Sequence, residues 1–481
     1  MATSQYYTLP NPFGRSEDDI GFESAGLTLK KTDVVRKNIG GTFIVNEISI
    51  ITRQGLRISL LDAFESIDID ENVFSSSVIG SIILTDVGGG IEKFQLQGGE
   101  RLIIKLSKPI TNDILLWRED FIVNKIGAHT VTMENLGARY ALYFSSRSFV
   151  NSMKKNLFKS YKNISLASAV ESMFSEMSKN DLIIEDPKIT LTTPFISTGL
   201  MPHKAIEAMA QRACSNSKFY LFFERFFPII GTYADGKAFA ATHFFGSYDK
   251  LVEDSTTHGV HDIFFDPNQD GKIEPNYIRA ARYTNKDNFN HLELMMFGHY
   301  NTTITSIDPI KRNHTVNNIG YSRESNSTKD FYRNKLLDKN NIFNTYNNNE
   351  NEIQGRKLIF SSPYLNDTVQ RSNWLQTNIF GSLSKNMFKI EIDIQGATNN
   401  IGAGHVVNFI APSGLEKKML PGKSNPLSDE YHSGRYFVSG VKHSITLTTY
   451  IKKLELSRGS IPMDFNKNDL TEKDLSELQY L

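Results

Sequence analysis

The sequence predicts a mainly β protein in which two antiparallel β-domains, each a barrel or a sandwich, flank an α/β insertion. Three observations carry this. Apolar residues alternate with period two from Phe43 to Phe144 and again from Phe388 to Leu456. A helical period interrupts them between Leu166 and Ala213, and an aromatic-led hairpin closing in Ser-Arg occurs once in each β region. The 481 residues, 40% hydrophobic and 22% charged, are enough for several domains and too apolar for disorder throughout.

Residues 1–38 are assigned as an amino-terminal arm. They carry no early run of basic and apolar residues, so no secretory signal is expected there. Beyond the arm, Phe43-Ile44-Val45, Ile48-Ser49-Ile50 and Leu56-Arg57-Ile58-Ser59-Leu60 alternate as half-buried strands do, with Gly55 between them. Val78 to Leu84 and Leu102 to Leu106 continue the pattern, separated by the turn-forming Gly88-Gly89-Gly90 and Gly98-Gly99. Strands near Phe121 to Ile126 and Tyr140 to Phe144 complete a first β-domain, assigned to residues 39–150.

The period then changes. Leu166, Ala169, Val170, Met173, Phe174 and Met177 form a helical stripe with Ser165 as N-cap, and a second helix starts at Pro202 with Ile206, Met209, Ala210 and Ala213 on one face. The methionines read as core packing rather than as ligands. Phe219 to Phe223 and Phe239 to Phe245 read as strands, so residues 151–274 are assigned as an α/β insertion. The second β-domain is assigned to residues 275–310 and 384–460, with strands at Phe388 to Ile394, Val406 to Ile410, Tyr436 to Val441 and Ile451 to Leu456. Residues 311–383 are assigned as a surface insertion, because Asn341, Asn344, Asn347, Asn348, Asn349 and Asn351 crowd one window and favour turns. Residues 461–481 are assigned as a tail helix, capped at Thr471-Glu472-Lys473-Asp474 with Leu475, Leu478 and Leu481 on one stripe.

The two β-domains end alike. Phe121 to Ile126, a turn, then Tyr140 to Ser148 in the first matches Tyr436 to Val441, a turn, then Tyr450 to Ser460 in the second, and both second arms close in Ser-Arg at Arg147 and Arg458. This reads as a duplicated β-module, so that three copies of the chain would display six modules.

Several function classes are excluded or set aside. Lys plus Arg number 53 and Asp plus Glu 53, so the basic excess of a dedicated nucleic-acid binder is missing. Cys214 is the single cysteine and fits a reducing compartment of folding. No stretch reaches the roughly 20 apolar residues of a membrane span, so no membrane anchoring is expected. Asp266-Pro267-Asn268-Gln269-Asp270-Gly271 resembles the opening of a calcium loop, but Tyr277 stands where a bidentate Glu is needed, so the Asp266–Asp270 stretch reads as an Asx-rich turn. Gly402-Ala403-Gly404-His405 reads as a turn leading into a strand, not a nucleotide loop. His258 and His261 lack a third ligand nearby and read as loop histidines. No nucleophile elbow, zincin helix or Walker loop occurs. The expectation is a non-enzyme, with no catalytic residues, no metal and no cofactor.

Against this background the chain resembles the baseplate central hub proteins of contractile-tailed bacteriophages, related to the amino-terminal part of type VI secretion spike proteins. The resemblance lies in Ile67-Asp68-Ile69-Asp70-Glu71-Asn72-Val73-Phe74 with Ile79 to Ile82, in the helix Pro202 to Ala213 running into Phe219 to Glu224, and in Ser433-Gly434-Arg435-Tyr436 through Arg458. It implies two tail-tube-like barrels per chain and a homotrimeric ring that adapts the hexameric tail tube to the trimeric central spike and lines the channel for DNA ejection. Implied partners are the tail tube protein, the central spike protein, other baseplate proteins and the tape measure protein, with DNA only in transit. The implied location is the virion tail baseplate, assembled in the host cytoplasm. A carbohydrate-binding or cleaving tail-tip protein, using Trp117 and Trp374 against sugar, is the alternative from another class. A type VI secretion spike component is the neighbouring one.

Overall fold

The computed structural model describes residues 43–86, 94–107, 114–132, 137–180, 182–191, 195–213, 219–232, 238–258, 260–265, 278–288, 290, 296, 302–319, 356–361, 381, 388–396, 400–411 and 431–459. The first β-module consists of β1 (Ile44–Ile51), β2 (Arg57–Ser59), β3 (Phe64–Asn72), β4 (Ile79–Asp86), β5 (Arg101–Ser107), β6 (Ile114–Thr132) and β7 (Gly137–Ser146). The period-two reading sets its inward face. Phe64, Ile67 and Ile69 of β3, Ile82 and Leu84 of β4, and Leu102, Ile104 and Leu106 of β5 are all buried in one cluster.

The insertion follows as α1 (Arg147–Met153), β8 (Leu157–Tyr161), α2 (Leu166–Phe174), β9 (Leu182–Ile184), β10 (Phe195–Leu200), α3 (Pro202–Arg212), β11 (Tyr220–Thr232), β12 (Ala238–Ser247) and α4 (Tyr248–His258). Ser165 caps α2 as expected, its hydroxyl accepting from the Ser168 amide at 3.0 Å. Pro202 occupies the first turn of α3, where its missing N–H costs nothing. Met173, Met177 and Met209 lie in the helix–helix core with Leu166, Val170 and Ile206. The sheet behind the helices is β11-β12-β9, and β8 pairs with β10 apart from it.

The remaining strands are β13 (His261–Phe265), β14 (Ile278–Asn288), β15 (Thr302–Asp308), β16 (Asn313–Ile319), β17 (Arg356–Ser361), β18 (Phe388–Gln395), β19 (Val406–Ile410), β20 (Gly434–Thr446) and β21 (Tyr450–Arg458). Six of them close a barrel: β13-β14-β18-β21-β20-β19, with β19 returning to β13. Its core holds Ile390, Ile392, Phe409, Tyr436, Val438 and Leu456.

Two strands differ from the sequence reading. β13 falls in the stretch assigned to the insertion, yet it is the strand that closes the barrel, and His261 opens it rather than lying in a loop. β15 falls in the stretch assigned to the second barrel but pairs with β16 and β17 in a separate three-stranded sheet. A local turn explains that pairing. Asp308 Oδ1 accepts from the amides of Ile310 and Lys311 at 2.9 and 3.0 Å, folding the chain back into β16. The asparagine window 341–351, the Asp266–Asp270 turn, Cys214, the arm and the tail helix lie outside the described residues.

The two β-modules are topologically equivalent. Neighbours in the first run β3-β4-β7-β6-β5, and in the second β14-β18-β21-β20-β19, with every pair antiparallel. Bulges coincide as well. β3 bulges between Phe64 and Ser66 against β4, and β14 between Ala280 and Arg282 against β18. β6 bulges at Asn124 and β20 at Ser439, each three residues after the leading aromatic. Bulges reset the facing of every later side chain, so matched bulges make equivalent strands.

Candidate functional site at the seam between the modules

The first half of β20, Gly434–Phe437, pairs with β19 inside its own barrel. The second half, Gly440–Thr446, leaves that edge and pairs with Asn72–Ser66 of β3 in the other module. One strand therefore belongs to both modules, and the whole forms a 13-stranded sheet. On the outer face of this seam Lys442 reaches Asp68 at 3.3 Å.

On the inner face stands a buried charge. β3 buries Ile67 and Ile69, and the next inward position is Glu71, fully buried. A carboxylate there is tolerable only if its oxygens are filled. Oε2 accepts from the Phe226 amide at 2.6 Å and Oε1 from the Ala403 amide at 2.8 Å. Burial alone would raise its pKa; His443 and these two amides outweigh burial and hold it below the ordinary carboxylate value. Burial keeps His443 neutral against the pull of Glu71. Its Nε2 stands 3.7 Å from Glu71 Oε1, and its Nδ1 is 2.9 Å from the Tyr450 hydroxyl.

Two further cations line the same space. Lys452 takes an inward position on β21 between Tyr450 and Leu454, donates to the Ile401 carbonyl at 3.1 Å and sits over the Phe227 ring. Burial pushes its pKa down to about 7 despite Glu71. Burial likewise lowers Arg225 to about 10; its Nη1 lies 3.3 Å from His405 Nε2.

The Gly402-Ala403-Gly404-His405 turn does lead into β19, and it also supplies this site. Gly404 has φ +84°, and a Cβ there would lie 3.0 Å from both Arg225 Nη2 and the Phe223 ring. His405 Nδ1 accepts from the Gly402 amide at 3.0 Å, holding the turn so that the Ala403 N–H faces Glu71.

The insertion reaches this junction through β11. Against β12, the register jumps between Glu224 and Ile229, so Arg225-Phe226-Phe227-Pro228 leave the hairpin ladder. Arg118 of β6 fixes the escaped backbone by donating from Nη1 to the carbonyls of Arg225 and Phe226, both at 2.9 Å. Its other nitrogens bind Asp120 at 2.5 and 2.7 Å and Glu224 at 2.9 Å. The guanidinium stays charged: burial disfavours it, but the carboxylates more than compensate. Glu224 also accepts from the Val78 amide at 3.1 Å, and burial pushes it up to about 7 against the pull of Arg118. Behind it His243 is held neutral by burial, at about 3, with Ser148 at 3.1 Å and Thr242 at 3.0 Å.

The arrangement binds three bodies together. Phe226 and Phe227 pack into the first module's core, while Phe223 and Leu221 pack with Val73, Val406 and Phe437 of both modules. The side chains of this junction are buried and largely paired with one another; among the described residues, Arg225 Nε and His443 Nε2 are left without a hydrogen-bond partner. Among the described residues no group of three His, Cys, Asp or Glu is placed to hold a metal ion, and no helix is long and apolar enough to cross a membrane. The His258 side chain lies outside the described residues, and His261 opens β13. Trp374 lies outside the described residues, as does the Trp117 side chain.

No protein-family profile matches the chain, and no curated protein matches it. Its structural neighbours are tail proteins and a type VI secretion component, similar in fold alone. The tail protein from Neisseria meningitidis MC58 has a TM-score of 0.49 at 11% identity, over 88% of this chain and 99% of that one. The 43 kDa tail protein of prophage MuSo2 from Shewanella oneidensis has 0.46 at 9%, over 86% and 98%. The E. coli c3393 protein, a component of the type VI secretion system with structural similarity to T4 bacteriophage tail proteins gp27 and gp5, has 0.38 at 10%, over 84% and 76%.

Proposed function

We propose that the protein is the structural baseplate hub of a contractile phage tail. Three copies form a ring that adapts the hexameric tail tube to the trimeric central spike and lines the channel through which DNA leaves. The observation that carries this reading is the duplication: equivalent modules, with matching neighbour order and bulges, lie side by side in one chain. Two equivalent modules per chain make a threefold assembly sixfold in its modules, which is what an adaptor between the two symmetries requires. The zero formal net charge suits a conduit that must not grip phosphate. On this reading the protein works by shape.

The test is assembly. Light scattering of the purified protein is expected to give a trimer, and electron microscopy a ring of six similar lobes. A monomer at all accessible concentrations, or a ring with another lobe number, overturns the reading.

A further inference from the structure

The seam within the chain predicts a second seam between chains. In the internal seam, the far half of β20 lies against β3. The equivalent of β20 is β6, and the equivalent of β3 is β14. Like β20, β6 outruns its barrel neighbour: β5 covers one edge as far as Ile122, while β7 covers the other through to Thr132. From Lys125 onward, no described strand pairs with the edge of β6 opposite β7. β14 is its complement: β18 lines one edge, and β13 pairs with the other only from Ile278 to Ala280.

The bulges discriminate. β6 carries a second bulge, between Gly127 and Thr130, that β20 lacks against β21. β14 carries a second bulge, between Asn285 and Asp287, that β3 lacks against β4. Transferring the internal register, in which Lys442 faces Asp70 and Ser444 faces Asp68, sets Gly127 opposite Asp287 and Thr130 opposite Thr284. Each strand then has one extra residue at the same place, and the two insertions cancel. An extra residue in one strand alone would flip every later side chain to the wrong face, so paired insertions mark strands that are partners.

We infer that β6 of one copy adds to β14 of a second copy of this chain, head to tail, through residues 126–132 and 282–288. The inference rests on the hub reading for the number of copies that close the ring. The contact is heterologous: each chain offers one β6 edge and one β14 edge, and the sheet continues from copy to copy.

The test uses the full chain with Cys214→Ala, carrying Thr130→Cys together with Thr284→Cys, and separately Gly127→Cys with Asp287→Cys. Each single-cysteine chain is the control. Light scattering under reducing conditions first establishes the assembly state. Mild oxidation is expected to convert at least one double variant to a covalent trimer on a non-reducing gel, while the single-cysteine chains stay uncrosslinked. A trimer by light scattering in which neither double variant crosslinks overturns the strand pairing and leaves the hub reading standing. A monomer overturns both.

Discussion

Replacing Glu71 by Gln removes the charge at the seam and little else. Glu71 accepts two backbone N–H bonds, from Phe226 at 2.6 Å and Ala403 at 2.8 Å. A glutamine has one acceptor oxygen; its amide nitrogen must face the other N–H, leaving a buried donor unpaired. Hydrogen bonds to a charged acceptor contribute about 1.5–3 kcal/mol each, and an orphaned buried donor costs about 1–3 kcal/mol. The expected loss is therefore about 3–5 kcal/mol, in the range for breaking a buried ionic contact. Urea unfolding at pH 7 measures it, with Asp68→Asn as comparison. Asp68 meets Lys442 across the same seam in a partly solvated pair, so its loss should stay below about 1 kcal/mol. The acid limb gives a second readout. Because the folded-state pKa of Glu71 is lowered, its contribution is present above the unfolded value near 4.5 and is lost as pH falls through the folded value. Glu71→Gln should flatten that limb below pH 4.5. A loss under about 1 kcal/mol, equal to that of Asp68→Asn, refutes the claim that the carboxylate holds the junction.

His243 is held at about 3, so it resists a proton that the unfolded chain accepts near 6.5, and stability from this group falls as pH drops through that window. His243→Gln should remove up to about 1.4 kcal/mol per pH unit from the slope between pH 6.5 and 4.5, where Glu224 acts in the opposite direction; an unchanged slope in urea titrations counts against a neutral buried imidazole. Lys452 is lowered to about 7, so folding is increasingly favoured as pH rises from 7 toward 10.5; Lys452→Met should flatten the rise in melting temperature over that interval. Gly80→Ala should cost about 2 kcal/mol or more by denaturant unfolding, because its Cβ would lie 2.6 Å from the Asp68 carbonyl oxygen and 2.4 Å from the Phe144 ring. Zymography on host peptidoglycan is expected to give no clearing, and a band abolished by a single carboxylate substitution would contradict the structural role.

The strands that the sequence announces are those whose partners are chosen by apolar alternation, such as Ile67-Asp68-Ile69 or Phe388 to Ile394. Helix α2 was legible from its stripe and cap together. What alternation cannot show is which edge a strand joins, so β13 and β15 were placed in the wrong unit. The repeat was legible through its aromatic-led hairpin, but the Ser-Arg ending misaligns it. Aligning the bulges at Asn124 and Ser439 makes Ser146, not Arg147, the equivalent of Arg458. Accordingly, Arg147 is exposed at the start of α1, whereas Arg458 is buried between the Phe388 and Tyr436 rings and donates to the carbonyls of Ser433 and Tyr431. The buried junction left a signal that pattern reading passed over. Glu71 continues the inward series Ile67, Ile69; Lys452 continues Tyr450, Leu454; and Glu224-Arg225 interrupts an otherwise aromatic run. Charges at apolar-phase positions demand partners, but only the fold shows that these answer one another across three bodies.

The shared strand β20 also has a mechanical meaning. Pulling the two modules apart along the strand direction loads the seven residue pairs of the β3–β20 seam in parallel, so they must fail together rather than unzip one after another. The two modules meet there strand to strand, through main-chain hydrogen bonds. A twist applied to one module is thus delivered to the other as rotation of a stiff plate. In the proposed hub, this backbone pairing would add shear stiffness to the side-chain contacts around Glu71.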